Sequence, residues 1–394
     1  MSYVLIKNEH VYDETSFTSS LDGKKIIGWQ NGIAIGPNKK LGSTKYFRGR
    51  NGDINIVGTN DDESVQITKQ VHIIQELVTT EPEISYFFFD KPTNTITGYD
   101  PNGPKDVVIP NTIDGALVLH IGDEAFVNSQ ITTVSLPNYL ISIGASAFRS
   151  NLLESLVLPD TVEIVGDLAF SDNELNNITF SNSLRVISDG AFSINNLEHI
   201  NLPPLLETIG ASAFDNNQIA SVSGLIDDGS LRHIGALAFA VNQLTQDIVP
   251  KGVISVGDFA FRYNHLTSLV LCETVTSWGD GVYSDNEIIS ISIPVSAEDG
   301  ESVISSIPSR MFENNFITEL FLPVGVFECD EYAFGGPITQ LHFGSDIRPV
   351  NSFDRCFGDY TGSLLSDHYD IMLGYIPHGS YVYNSNDETW TKTA

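Results

Sequence analysis

The sequence predicts a β-rich solenoid of about ten or eleven coils, with one short helical turn per coil, behind a small all-β N-terminal domain. Three observations predict it. A six-residue segment recurs at a near-constant 22-residue period. Each period contains a short run of alternating apolar and polar residues. No unit of that size can bury its own apolar edge, so the units must stack.

The recurring segment is I-G-D-E-A-F at 121–126, I-G-A-S-A-F at 143–148 and V-G-D-L-A-F at 165–170. Further copies lie at 187–192, 209–214, 234–239 and 256–261, with weaker ones at 278–283, 307–312 and 329–334. The closing aromatics are Phe126, Phe148, Phe170, Phe192, Phe214, Phe239, Phe261, Tyr283, Phe312 and Phe334, and Phe357 ends a degenerate further copy.

The unit Leu153–Glu174 shows the parts. Leu153, Leu156 and Leu158 are apolar with Ser155 between the first two, a short half-buried strand closed by Pro159. Val162, Ile164 and Val165 make a second extended run. Gly166 then permits a tight turn, and Asp167 is placed to cap a helical turn that turns Ala169 and Phe170 inward.

Three residues past the aromatic comes an asparagine: Asn151, Asn173, Asn195, Asn217, Asn242, Asn264, Asn286 and Asn315. An inward amide at a coil corner can bond backbone groups that the turn leaves unpaired. We read the column as a structural ladder.

The unit L-x-x-L-x-L-P…I-G-x-x-A-F…N-x-L resembles the BspA-like class of leucine-rich repeats, over about residues 83–357. The opener resembles it too, in Ile96-Thr97-Gly98-Tyr99, Val108-Ile109-Pro110 and Ile113-Asp114-Gly115. Many units of that class carry cysteine where this chain carries asparagine. The resemblance implies a curved, non-enzymatic solenoid for adhesion or recognition, often secreted or displayed on a surface.

Four segments follow: an attachment domain at 1–80, a cap and opening coil at 81–120, the solenoid at 121–357 and a cap hairpin at 358–394. Residues 1–80 lack the repeat, and Asp22-Gly23 and Asn51-Gly52 are hairpin signals there. Lys39, Lys40, Lys45, Arg48 and Arg50 form the one basic cluster, either a solvated loop or a dock for an acidic partner or for another copy of the chain. Residues 83–100, with Phe87-Phe88-Phe89, are expected to cover the first coil. The aromatic run at Tyr381-Val382-Tyr383 and Thr389-Trp390-Thr391 is expected to cover the last, and resembles hairpins of phage tail-associated proteins.

Charge restricts partners. The chain holds 20 basic and 50 acidic side chains, net −30. Residues 1–100 carry 10 and 13 of these, net −3, which leaves 10 and 37, net −27, for the rest. Such a polyanion repels nucleic acid and anionic membrane surfaces. Nothing approaches 18 consecutive apolar residues. The opening MSYVLIKNEHVYDETS lacks the basic and apolar regions of a signal peptide. Cys272, Cys329 and Cys356 are read as three small buried thiols.

Outward strand positions should be Thr133/Ser135, Ser155/Val157, Asn177/Thr179, His199/Asn201, Ser221/Ser223, Ser268/Val270, Ser290/Ser292, Glu319/Phe321 and Gln340/His342, on one long parallel sheet. One of these is a carboxylate. The face is either a plain solvated surface or a recognition strip. Glu319, Phe321, Gln340 and His342 are the candidate contact residues because Phe321 is its one aromatic. The coil at 244–249 breaks register, with Asp247 falling inward.

Asp123, Asp167, Asp189, Asp258 and Asp280 share the position after the glycine column, as turn caps or as weak calcium ligands. No zinc spacing, nucleophile elbow or phosphate loop occurs, and Asp367-His368-Tyr369-Asp370 is a poor metal candidate. No cofactor, metal or catalytic residue is expected, so an enzyme is not. Two functions fit: a virion surface or tail-fibre component that meets a host through protein or glycan, attached to the particle by residues 1–80, or a bacterial or protist cell-surface adhesin. A cytosolic scaffold is a third. Self-association is compatible with any of them.

Overall fold

The computed structural model describes residues 84–344 apart from 297–299, 327 and 337, together with Cys356, 378–384 and 389–393. Before these it describes the backbone of separate strands; the side chains of 348–349, 383–384 and 389 are likewise outside the description. The chain divides into two compact units, residues 1–80 and 81–394.

The first unit is antiparallel β structure. Ile6–Lys7, His10–Val11, Gly28–Gln30, Ile33–Ile35 and Lys40–Ser43 form one five-stranded sheet. Lys45–Arg48, Asp53–Thr59 and Gln66–His72 form a three-stranded one. Lys45–Arg48 pairs with Asp53–Thr59 on either side of Asn51-Gly52. Asp22-Gly23, Asn51-Gly52, Lys39, Arg50 and the side chains of Lys40, Lys45 and Arg48 lie outside the described residues.

The second unit is a solenoid. The closing aromatics stack in one column from Phe126 to Phe334, with ring centroids 4.7–6.0 Å apart and planes within 16° of parallel. All are fully buried.

The asparagine column beside them forms a continuous ladder. Asn173 accepts the Leu153 amide at 3.1 Å on Oδ1 and donates through Nδ2 to the Phe148 carbonyl at 2.9 Å and to its own Phe170 carbonyl at 3.2 Å. Asn195, Asn217, Asn242, Asn264, Asn286 and Asn315 repeat the pattern with Leu175, Leu197, Ile219, Leu244, Leu266 and Ile288. Asn151 opens it, on Ile131.

Two sequence expectations change. The front strands do not make one long sheet. They pair as Asp106–Val108 with Thr133–Ser135, Ser155–Val157 with Asn177–Thr179, His199–Asn201 with Ser221–Ser223 and Ser268–Val270 with Ser290–Ser292. The continuous sheet is on the other run: ten strands from Phe87–Asp90 to Ser277–Trp278, parallel after the first antiparallel pair. Coils approach closest there because glycine follows it. A Cβ on Gly166 would lie 2.7 Å from the Ala145 nitrogen, and one on Gly257 would lie 2.4 Å from that of Ala236. The glycine serves coil-to-coil contact, not the turn.

The segment after it is not a turn of α-helix. Leu168, at φ 55, and Asp172, at φ 58, are left-handed, and the same two columns repeat along the solenoid. Ala169 and Ser171 donate to Gly166 and Leu168 in successive four-residue turns, at 3.2 and 3.1 Å. A left-handed residue stops helical propagation at once.

The cysteines also differ from expectation. Cys329 and Cys356 are disulfide-bonded, with Cα atoms 5.9 Å apart, and Cys272 alone is a buried free thiol. The expectation failed because the two are 27 residues apart, so the period does not align them; adjacent coils nevertheless bring them together.

Both ends of the solenoid carry antiparallel strands. Phe87–Asp90 pairs with Thr95–Tyr99, which continues into the ten-stranded sheet. Gly379–Asn384 adds to Gln340–Phe343 and pairs with Thr389–Lys392.

Replacing Asn195 with alanine leaves the Leu175 amide without its partner. The expected cost is about 1–3 kcal/mol, read as a lower urea midpoint at unchanged slope. An unchanged midpoint would show that the ladder does not carry stability.

Candidate functional site

The outward strand positions are solvent-facing as the alternation implies, and they are mostly small and polar. Val157 and Val270 are the aliphatic exceptions, 65% and 69% exposed. His199 lies on this face with Nδ1 2.7 Å from Ser221 Oγ, a contact between neighbouring coils.

Glu319, Phe321, Gln340 and His342 come together. Glu319–Leu322 and Gln340–Phe343 pair in parallel, which puts Glu319 opposite Gln340 and Phe321 opposite His342. The Phe321 ring is 58% exposed and stacks on the His342 imidazole, centroids 4.2 Å apart and planes 7° from parallel. His342 Nδ1 is 2.9 Å from Ser380 Oγ, and Nε2 is 3.3 Å from Glu319 Oε1. Stacking covers one face of the phenyl ring and leaves much of the ring in solvent. The patch therefore offers one apolar ring face beside a carboxylate and an amide. Sequence reasoning missed its other edge. The terminal hairpin sets Ser380 opposite His342 and the exposed Val382 opposite Gln340. Only the long-range pairing reveals that contact.

A second feature lies at the register break. Val134, Leu156, Ile178, Ile200, Val222, Leu269, Ile291, Leu320 and Leu341 share the inward central position of their strands, and Asp247 stands where the coil after Val222 would supply another. Among the described residues, 245–249 form no strand. The Asp247 carboxylate turns inward, where Tyr283 Oη lies 3.3 and 3.5 Å from its two oxygens. Val249 N–H donates to Oδ1 at 3.3 Å. Burial pushes its pKa up to about 6 against the opposing pull of these donors, and burial also raises the Tyr283 hydroxyl well above its usual value. Tyr283 is the one tyrosine in the stacked aromatic column, so the exception in one column meets the exception in the other.

Three of the five turn aspartates bond between coils. Asp123, Asp189 and Asp258 accept the amides of Ala145, Ala211 and Asp280 on the next coil, at 2.8, 2.7 and 2.9 Å. With the helical turn absent, the free donor is the neighbour's amide. Among the described residues no group of three or more His, Cys, Asp or Glu side chains is placed to hold a metal ion, and no helix is long and apolar enough to cross a membrane. Asp367-His368-Tyr369-Asp370 lies outside the described residues.

A family model described as a BspA-type leucine-rich repeat region, in six copies, matches residues 119–225 and 232–358, more than half of the chain. Solved structures are similar as well. A leucine-rich cell surface protein from Faecalibacterium prausnitzii is 17% identical over 76% of this chain and 89% of its own, with a TM-score of 0.34. The pneumococcal vaccine antigen PcpA is 18% identical over 86% and 93%, with a TM-score of 0.38. A leucine-rich repeat protein from Bacteroides ovatus is 16% identical over 78% and 88%, with a TM-score of 0.41. No curated protein matches the sequence.

The raised carboxyl of Asp247 has a pH signature. The folded chain keeps a proton there that the unfolded chain, with an ordinary value of 3.8, has released. Stability from this group is therefore full below about pH 4 and falls as pH rises through about 6, by on the order of 3 kcal/mol. The stability difference between wild type and Asp247→Asn, from urea melts across pH 4–7, should fall over that window. A flat difference would mean the carboxyl titrates normally.

Proposed function

The chain belongs to the BspA-type leucine-rich repeat family, and on its surface chemistry we propose that it is a non-enzymatic recognition protein of a cell surface, binding a protein or glycan through the front strand face. The observation that carries this is the division of polar groups. The asparagine amides and turn carboxylates are bonded to backbone within and between coils. The front face keeps small hydroxyls and amides free of bulk charge, and ends in the Phe321–His342 stack. Catalysis needs polar groups that converge in a pocket, whereas an extended strip suits contact along a surface.

The Cys329–Cys356 disulfide supports placement outside the cytoplasm, since such bonds persist in oxidising compartments and are rare in reducing ones. That puts an exported adhesin ahead of a virion surface or tail-fibre component, which would be assembled in the cytoplasm. We assign residues 1–80, whose net charge contrasts with the acidic solenoid, to attachment through Lys39, Lys40, Lys45, Arg48 and Arg50.

Two measurements test this. Protein isolated from its producing cell, denatured without reductant, should titrate one thiol, and three after reduction; three at the outset would withdraw the support for export. On an array of extracellular proteins and glycans, the full chain should score hits that Phe321→Ala weakens at least tenfold. Hits indifferent to that substitution would remove the C-terminal patch as the contact surface.

A further inference from the structure

The register break opens a cleft of about 490 Å³ on the front of the solenoid, between Ala220–Val222 on one coil and Thr245–Pro250 on the next. Its walls are chemically divided. Val222, Leu225, Ile248 and Pro250 are apolar, while Asp227 and Asp247 contribute carboxylates and no lining residue is basic. The nearest lysine along the chain, Lys251, extends its Nζ to Glu273 Oε1 at 2.7 Å.

Asp247 is held loosely. The Tyr283 hydroxyl and the Val249 amide stand at 3.3–3.5 Å, long for bonds to a carboxylate, and the Ile248 amide donates as well. Burial raises its pKa to about 6, so at neutral pH it is ionised in a recess without a cation. Leucine here would continue the column of Leu156, Ile178 and Ile200 but would leave the buried Tyr283 hydroxyl without this partner. Tyr283 and the nearby amides fill only part of the roughly four acceptor positions a carboxylate offers, so capacity remains toward the cleft.

The backbone has an opening at the same place. Ser221–Ser223 pairs with His199–Asn201 on one side and has no ladder partner among the described residues on the other, as also holds for Thr133–Ser135, Asn177–Thr179 and Ser290–Ser292, but here the next coil forms no front strand at all. An extended segment laid there could bond to that edge, as peptides do at free strand edges.

We propose that this cleft receives the cationic side chain, Lys or Arg, of a partner polypeptide lying extended on the strand face. The apolar walls take the methylene stem, and Asp247 and Asp227 meet the charge at its end. Two carboxylates are too few for a calcium site, which needs six to eight oxygens. The proposal rests on reading the strand face as a recognition surface, but it concerns a site separate from Phe321.

The test uses the full chain and calorimetric titration with a blocked heptapeptide of alternating threonine and valine carrying lysine at its centre. The comparison peptide has glutamine there. The lysine peptide should bind at least tenfold tighter. Asp247→Asn should abolish that preference, and Asp227→Asn should reduce it about threefold. Asp258→Asn, a turn carboxylate remote from the cleft, should leave it intact. If Asp247→Asn does not fold, Asp227→Asn and Asp258→Asn still decide the matter. Equal affinity for the two peptides, no binding of either at millimolar concentration, or equal loss in the Asp258 variant would overturn the proposal. Array hits that still depend on Phe321 would leave the recognition reading standing while the cleft falls.

Discussion

The asparagine amide sets the terms for the solenoid. A coil of 22 residues turns its corners faster than its own backbone can satisfy, so each corner leaves an amide and carbonyls facing inward. Asn173 answers from one side chain for two coils at once: it accepts from Leu153 and donates to Phe148 and Phe170. Because those bonds tolerate little stretch, the amide fixes the distance between coils. The phenyl column inherits that distance, which is why its rings lie parallel at separations a free aromatic pair need not adopt. Leucine or phenylalanine could fill the same volume but could not cancel the buried dipoles.

What the sequence made legible follows from this. A group bonded to its equivalent one coil away recurs with the period, so the phenyl column, the asparagine column and the outward strand pairs can all be read from spacing. Groups whose partner differs from coil to coil cannot. Gly166 recurs in most coils, though Ser188, Pro308 and Asp330 replace it; its role is close approach to Ala145, and spacing alone does not separate that from a turn. The left-handed position falls on Leu168, a residue no propensity argument selects for it. Cys329 and Cys356 are off the period by five residues, so they lie in different columns and spacing does not pair them. Tyr283 and Asp247 are 36 apart; each was visible as an exception in its own column, and only the fold joins them.

The two candidate contact regions occur where periodicity fails, and the reason is physical. Within the regular coils the buried asparagines and several turn carboxylates are committed to the neighbouring coil, and the outward strand residues repeat as small polar groups. At Asp247 the coil forms no front strand, and a carboxylate lines the gap this leaves. At the C-terminal end, the position three past Phe334 is Pro337 rather than asparagine. Proline offers no side-chain amide, so the ladder ends at Asn315.

The last coils must then be tied by other means, and two are present. The Cys329–Cys356 bond links one coil to the segment beyond it, and Gly379–Asn384 pairs antiparallel with Gln340–Phe343. An antiparallel strand can close the edge of a parallel stack because it returns from the far end without a crossover. In doing so it sets Ser380 against His342 and Val382 beside Gln340. The imidazole is thereby fixed from two sides, by Ser380 and by the Phe321 ring. A stack held this way presents its free ring face without first losing side-chain freedom, which lowers the entropic cost of any contact made there. Closing the stack and orienting the patch are thus achieved by one strand.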